Sequence, residues 1–179
     1  MATIYGGVSY QADMSILKYI QSLFSSDLYI QVWENRIKIS KVGTNDVYDE
    51  EPLMALKDNA KGVPIVIEIG DKVKRLNKSE IDKVVNPFKH PRLLVHDFVV
   101  AEKIIQHAFR ELHKTKWIAP SPRVIFQPME KLEGGVTGIE ERVYRELCLG
   151  AGAREILLHI GKPLSVYSLD FNEFKQQNS

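Results

Sequence analysis

The alternation of apolar and polar residues changes period several times along the chain, and each change predicts an element. Ser15 to Phe24 has helical period: Ile16, Leu17, Ile20, Leu23 and Phe24 share one face, and Lys18, Gln21 and Ser22 the other. Ser25-Ser26-Asp27 ends that run. From Leu28 to Val42 the period becomes two. Leu28, Ile30 and Val32 lie on one side and Ile37 and Ile39 follow polar Glu34-Asn35, which predicts a β-hairpin turning near Asn35. Gly43-Thr44-Asn45-Asp46 leads to a short strand around Val47, and Leu53 to Leu56 extends that pairing beyond Pro52. Val63 to Ile69 is a further strand, and Ser79 to Val85 reads as one or two helical turns capped by Ser79. Asp97 then caps the longest helical pattern, Phe98 to His113. Arg123 to Gln127 is a strand with a buried pattern. Thr137 and Glu140 form a capping-box pair that opens a helix through Val143, Leu147 and Cys148. Ala153 to Ile160 gives a last strand; beyond Pro163 the pattern lapses, and Lys175 to Ser179 reads as a frayed polar end. Three strands followed by β, α, β, α, β imply an α/β domain whose later strands are parallel.

Composition narrows the function classes. The 179 residues are 44% hydrophobic and 26% charged, enough apolar material for a packed core. Lys and Arg total 24 against 23 Asp and Glu, so no basic field supports nucleic-acid binding. One cysteine, Cys148, leaves no internal disulfide and no multi-cysteine metal site, and fits a reducing compartment. No window reaches the ~18 consecutive apolar residues of a membrane span. Met1 to Ala12 lacks the basic flank and apolar stretch of a secretory signal. A cytoplasmic location is expected.

Isolated reactive residues add little. His107 with Glu111, or His113 with Glu111, aligns two side chains, but a metal site needs three or four ligands, so surface histidines are favoured. His96-Asp97 and Cys148 do not make a nucleophile, base and oxyanion set, and Cys148 fits the core. Gly134-Gly135 follows Pro128-Met129-Glu130 and lacks a Lys-Ser/Thr ending, so it is no phosphate cradle by itself. Lys72, Lys74, Arg75 and Lys78 read as a solvated face rather than an anion-docking patch.

Longer blocks carry more. Ser121-Pro122-Arg123-Val124, Gly135 through Glu146, and Leu149-Gly150-Ala151-Gly152-Ala153-Arg154-Glu155 stand in order, preceded by Asp97-Phe98-Val99-Val100-Ala101-Glu102-Lys103, Glu51-Pro52 and Phe24-Ser25-Ser26-Asp27-Leu28. Together they resemble the first half of the MreB family, bacterial actin homologues that determine rod shape, over about Ile16 to Pro163. The resemblance implies an actin-like ATPase lobe: a ribonuclease-H-like, five-stranded mixed sheet with flanking helices. It divides the chain into an N-terminal extension (1–26) with an amphipathic helix at 15–24, a truncated actin-like domain (27–163) and a tail (164–179).

That family binds ATP between two lobes, its phosphates on backbone amides of glycine-bearing hairpins, where no side chain blocks close approach. Its first hairpin reads Asp-Leu-Gly-Thr. Here Gln31 stands for the metal-organising Asp, Trp33 for the Gly and Glu34 for the Thr. The indole obstructs the phosphate. Two like charges at ~4 Å repel by about 4 kcal/mol at an effective dielectric near 20. The second hairpin and the adenine-binding lobe fall outside the sequence. Glu140 matches the family's water-polarising Glu; a general base and a purely local cap are its two readings, and the cap is favoured.

The implied function is a non-hydrolytic MreB-like protein of the bacterial cytoskeleton, without cofactor, acting on a protein partner: full-length MreB or a second copy. Its candidate contact residues are Trp33, Gly134, Gly135, Thr137, Ile16, Leu17, Ile20, Leu23 and Phe24. Two alternatives stay open. One is a split ATPase half that completes an ATP-Mg site with a partner chain. The other is an adaptor lying on the inner membrane through its N-terminal helix, where Lys18 alone supplies attraction to anionic lipid.

Overall fold

A computed structural model describes residues 27–114 and 121–178. Within them lie eight strands and three α-helices. The strands are β1 (Asp27–Trp33), β2 (Arg36–Lys41), β3 (Val47–Glu50), β4 (Met54–Asp58), β5 (Pro64–Ile69), β6 (Lys83–Val85), β7 (Arg123–Pro128) and β8 (Glu155–Leu158). The helices are α1 (Phe98–Leu112), α2 (Gly138–Gly150) and α3 (Phe171–Gln177), and a 3-10 turn runs from Gly70 to Arg75. The amphipathic helix expected at 15–24, with Ile16, Leu17, Ile20, Leu23 and Phe24, lies outside the described residues.

The main sheet has the order β3-β2-β1-β7-β8. β1, β2 and β3 pair antiparallel, whereas β1–β7 and β7–β8 are parallel. This is the five-stranded mixed sheet with flanking helices that the family resemblance implies. Strand period two sorts its two faces. Leu28, Ile30, Val32, Val124 and Phe126 face α1 and α2 and pack on Ile104, Ile105, Ala108, Leu147 and Cys148 in the larger core. Tyr29 and Ile125 point the other way, into a smaller cluster with Phe171 and Phe174.

Both long helices start where their caps predict. The Asp97 side chain accepts from the Val100 amide at 3.1 Å, and Thr137 and Glu140 form the full capping box. The outer edge of β8 is covered by a side chain, since Arg145 Nη1 donates to the Ile156 carbonyl at 3.0 Å.

The structure departs from expectation in three places. Leu53 to Leu56 does not extend the first sheet. It leads into β4, which starts a separate antiparallel sheet of order β5-β4-β6. Val63 to Ile69 is a strand, as predicted, but it pairs antiparallel in this small sheet. Ser79 to Val85 is not helical: Lys83–Val85 pairs with β4 as β6. Two β-branched residues and a partner strand decide the conformation of so short a segment. Val63, Ile65, Val66, Ile67 and Val84 are left exposed.

The third departure is the tail. Asp170 caps α3 by accepting from the Asn172 and Glu173 amides at 2.8 and 3.0 Å. Phe171 is 2% exposed. Arg123 ties the helix to the sheet: its Nε and Nη2 donate to the Asp27 carboxylate, each at 2.7 Å, its Nη1 donates to Asn172 Oδ1, and its guanidinium lies 4.4 Å from the Phe171 ring centre. Seven residues are too short to show a helical period, which is why the sequence reading ends at Pro163. Burial of a phenylalanine predicts that Phe171→Ala lowers unfolding free energy by about 3 kcal/mol in urea denaturation. A change below ~0.5 kcal/mol, the size usual for surface sites, means that α3 is only loosely applied.

Candidate functional site

Parallel pairing of β1 with β7 sets Gln31 opposite Gln127 and Val32 opposite Pro128, and one further bond, Met129 N–H to Val32 C=O at 2.9 Å, continues it. The β1–β2 turn, Glu34-Asn35, therefore lies beside the segment Met129 to Glu133. Between them is an open groove of about 810 Å³, lined by Glu34, Asn35, Met129, Glu130, Lys131, Leu132 and Glu133. Three carboxylates border it against one ammonium.

Every polar group of Glu34 is engaged. Its amide donates to Glu130 Oε2 at 2.6 Å, and its carbonyl accepts from Asn86 Nδ2 at 2.9 Å. Its carboxylate lies 3.2 Å from Lys131 Nζ. That ammonium also donates to the Phe88 and Leu93 carbonyls, at 2.9 and 3.4 Å. Lys131 has φ of 60°, the single positive value outside glycine among the described residues. A left-handed non-glycine residue costs on the order of 1–3 kcal/mol and persists only where its surroundings over-determine it. Here the ion pair and two carbonyl bonds do so.

Trp33 closes β1 opposite Arg36. The Arg36 guanidinium sits 5.1 Å from the indole centre and binds Asp49 through Nε and Nη2 at 2.7 and 2.6 Å. Those hydrogen bonds hold the Asp49 carboxyl below the ordinary aspartate range. Gln31 is 7% exposed and donates through Nε2 to Met129 Sδ at 3.6 Å. A neutral amide with a thioether neighbour has none of the charge with which a carboxylate orders hydrated metal.

The other predicted residues lie further along the same loop. Gly134 and Gly135 both have φ of 85° and stand in open space, so glycine is needed there for conformation and not for close approach. At the start of α2 the Glu140 carboxylate accepts from the Thr137 amide at 2.9 Å and from the Thr137 hydroxyl at 2.8 Å, and the Glu140 amide donates back to Thr137 Oγ1 at 3.3 Å. One turn on, Tyr144 stacks on Phe126 at 4.9 Å, and its hydroxyl is pushed up to about 12 by burial and then by the Glu140 charge. Trp33, Gly134, Gly135 and Thr137 are absent from the groove lining.

Sequence reasoning missed Glu130, Lys131 and Asn86. A Glu-Lys pair one residue beyond a Pro-ended strand, facing a turn that itself carries Glu34, is the signal available. Elsewhere two expectations change. His113 is not a surface histidine: it is 5% exposed, with its Nδ1 2.7 Å from the Phe109 carbonyl. His107 is half-buried against the Tyr48 ring, and burial lowers its pKa. Cys148 is in the core, as expected, with burial raising its thiol pKa. Among the described residues no group of three or more His, Cys, Asp or Glu is placed to hold a metal, and no helix is long and apolar enough to cross a membrane.

A mixed sheet of this order, with two crossover helices on one face and a hairpin opposite the β7–α2 loop, is the architecture of one actin-fold lobe. Solved structures agree on the fold: MreB5 of Spiroplasma citri bound to ADP aligns with a TM-score of 0.51 at 19% identity, over 74% of this chain and 38% of that one. The non-polymerising A278D mutant of MamK bound to AMPPNP aligns at 0.56 and 10% identity, over 75% and 41%. No protein-family model matches the chain. The cell shape-determining protein MreB of Escherichia coli K12 is 31% identical over 153 residues, which are 84% of this chain and 42% of that protein. The chain is accordingly an MreB-like protein of the actin fold, homologous to part of MreB and spanning less than half the length of the relatives it matches.

Two predictions follow from the side-chain geometry. Thr137→Ala and Glu140→Ala each lower stability by about 1 kcal/mol, and the double variant by less than the sum, because both remove one capping box; thermal denaturation of the three variants measures this. Asp49, depressed by Arg36, contributes stability above its ordinary pKa and loses it as pH falls through the lowered folded value. Arg36→Ala brings the carboxyl titration back up toward the ordinary value near ~3.9, readable by NMR.

Proposed function

We propose that this chain is a cytoplasmic, non-hydrolytic MreB-like protein that works by protein–protein contact in cell-shape or cytoskeletal organisation. One observation carries the reading. At the hairpin where the family resemblance places phosphate, an indole and a carboxylate replace glycine and threonine, and the turn amide is already bonded to Glu130. A triphosphate there meets Glu34, Glu130 and Glu133, and the one ammonium lining the groove, Lys131, is committed to Glu34 and two carbonyls. Glu140, engaged with Thr137, has no phosphate to act on. The partner is full-length MreB or a second copy, contacted through Trp33 and the Gly134–Thr137 loop, together with the aliphatic residues that the small sheet leaves exposed.

The competing reading is a split ATPase whose other lobe comes from a second chain. It draws on the retained Glu140, on the chain's 42% share of its relative's length, and on the ADP and AMPPNP held by its structural neighbours. The membrane-adaptor reading concerns residues 15–24, outside the described part. Isothermal titration of ATP-Mg into the full chain, alone and with full-length MreB, separates the first two. No nucleotide binding by the chain alone, no binding in the mixture beyond that of MreB alone, and co-sedimentation on MreB filaments are the expected results. Micromolar ATP binding by the chain alone overturns the non-hydrolytic reading, and sites in the mixture in excess of those on MreB alone support the split enzyme.

A further inference from the structure

We propose that Glu130 is a built-in anion: its carboxylate holds the turn amide of the β1–β2 hairpin in place of a phosphate oxygen, and Lys131 latches the loop that delivers it. The proposal rests on the reading that this hairpin takes no nucleotide, and goes further by naming what fills the position instead.

The chemistry of the exchange is direct. Carboxylate and phosphate oxygens are both anionic acceptors for a backbone N–H, and a bond to an ionised acceptor is shorter and stronger than a neutral one. The Glu34 N–H to Glu130 Oε2 distance of 2.6 Å is of that kind. The β1–β7 pairing, continued by the Met129–Val32 bond, brings Glu130 beside the turn, and Lys131 follows it at φ of 60°. A lysine in that conformation is strained, and the strain is offset by what its side chain does. Lys131 is 13% exposed, and its ammonium joins the Glu34 carboxylate to the Phe88 and Leu93 carbonyls. The segment behind it is itself fixed. Asn86 accepts from the Phe88 amide at 2.9 Å, and the His90 ring accepts from the Arg92 and Leu93 amides at 3.2 and 3.1 Å. Two segments thus converge on Glu34: the 86–93 loop on its carbonyl, and the loop after β7 on its amide through Glu130 and on its carboxylate through Lys131. The hairpin amide is thus occupied by an acceptor that the chain itself supplies.

The test uses the 15N-labelled full chain and amide hydrogen exchange, with sodium acetate as the carboxylate probe. In Glu130→Ala the Glu34 amide exchanges about tenfold faster or more than in the wild type, as expected for loss of a charge-assisted bond. The Glu140 amide, held by the α2 cap, keeps its rate. Excess acetate restores protection at Glu34 in the variant and leaves the wild type unchanged. Glu130→Gln, which keeps the shape without the charge, gives an intermediate rate. The proposal is overturned if Glu34 exchanges equally in wild type and Glu130→Ala. It is also overturned if acetate fails to protect the variant, because the side chain then acts only through the fold. Neither failure bears on the ATP-Mg titration of the wild-type chain, which tests the functional reading separately.

Discussion

The parallel pairing of β1 with β7 is the constraint on which the site depends. It runs from Asp27–Arg123 to Val32–Pro128 in one unbroken register and fixes which residues of the β1–β2 turn meet which residues after β7. A slip of one residue reverses the face of every side chain on a strand. Leu28, Ile30 and Val32 would then leave the helix-facing core, and Glu34 would lose Glu130. At its lower end the same pairing is clamped by the bidentate Arg123–Asp27 bond, with both side chains 17% exposed. Register, core and site are therefore one structural fact.

The second face of the sheet shows what the tail does. Beyond the Tyr29–Ile125–Phe171–Phe174 cluster, the polar groups of that face are satisfied by the chain after β8. The Gln127 side chain donates to the Gly161 carbonyl at 2.7 Å and accepts from the Tyr29 hydroxyl, which in turn accepts from the Leu164 amide at 3.2 Å. The Gly43 amide donates to Val166 C=O at 3.1 Å. Buried polar groups carry a large cost when unpaired, so this segment stabilises the face as much by hydrogen bonding as by its two phenylalanines.

Much of this was legible in the sequence, for identifiable reasons. The β1–β2 hairpin, α1 and α2 carry strong periods and explicit caps, Asp97 and the Thr137–Glu140 box, and local signals of that kind survive tertiary context. The β4–β6 sheet was not legible as a separate unit, because strand periodicity gives a strand's faces without its partner. α3 was too short to declare a period. In the site, the replacements Gln31, Trp33 and Glu34 could be read one by one. The compensating Glu130 and Lys131 could not, since they lie 96 and 97 positions beyond Glu34 and meet it only through the β1–β7 register.

The chain has two tryptophans, and one of them, Trp33, ends the strand that leads into the turn where the family resemblance places phosphate. The most direct measurement is therefore a pair of 15N heteronuclear spectra, without and with saturating ATP-Mg, read at the Trp33 indole and the Glu34 amide. A hairpin filled by its own carboxylate leaves both signals where they were. Movement of both with added nucleotide contradicts the account, because it places a phosphate where Glu130 is held to be.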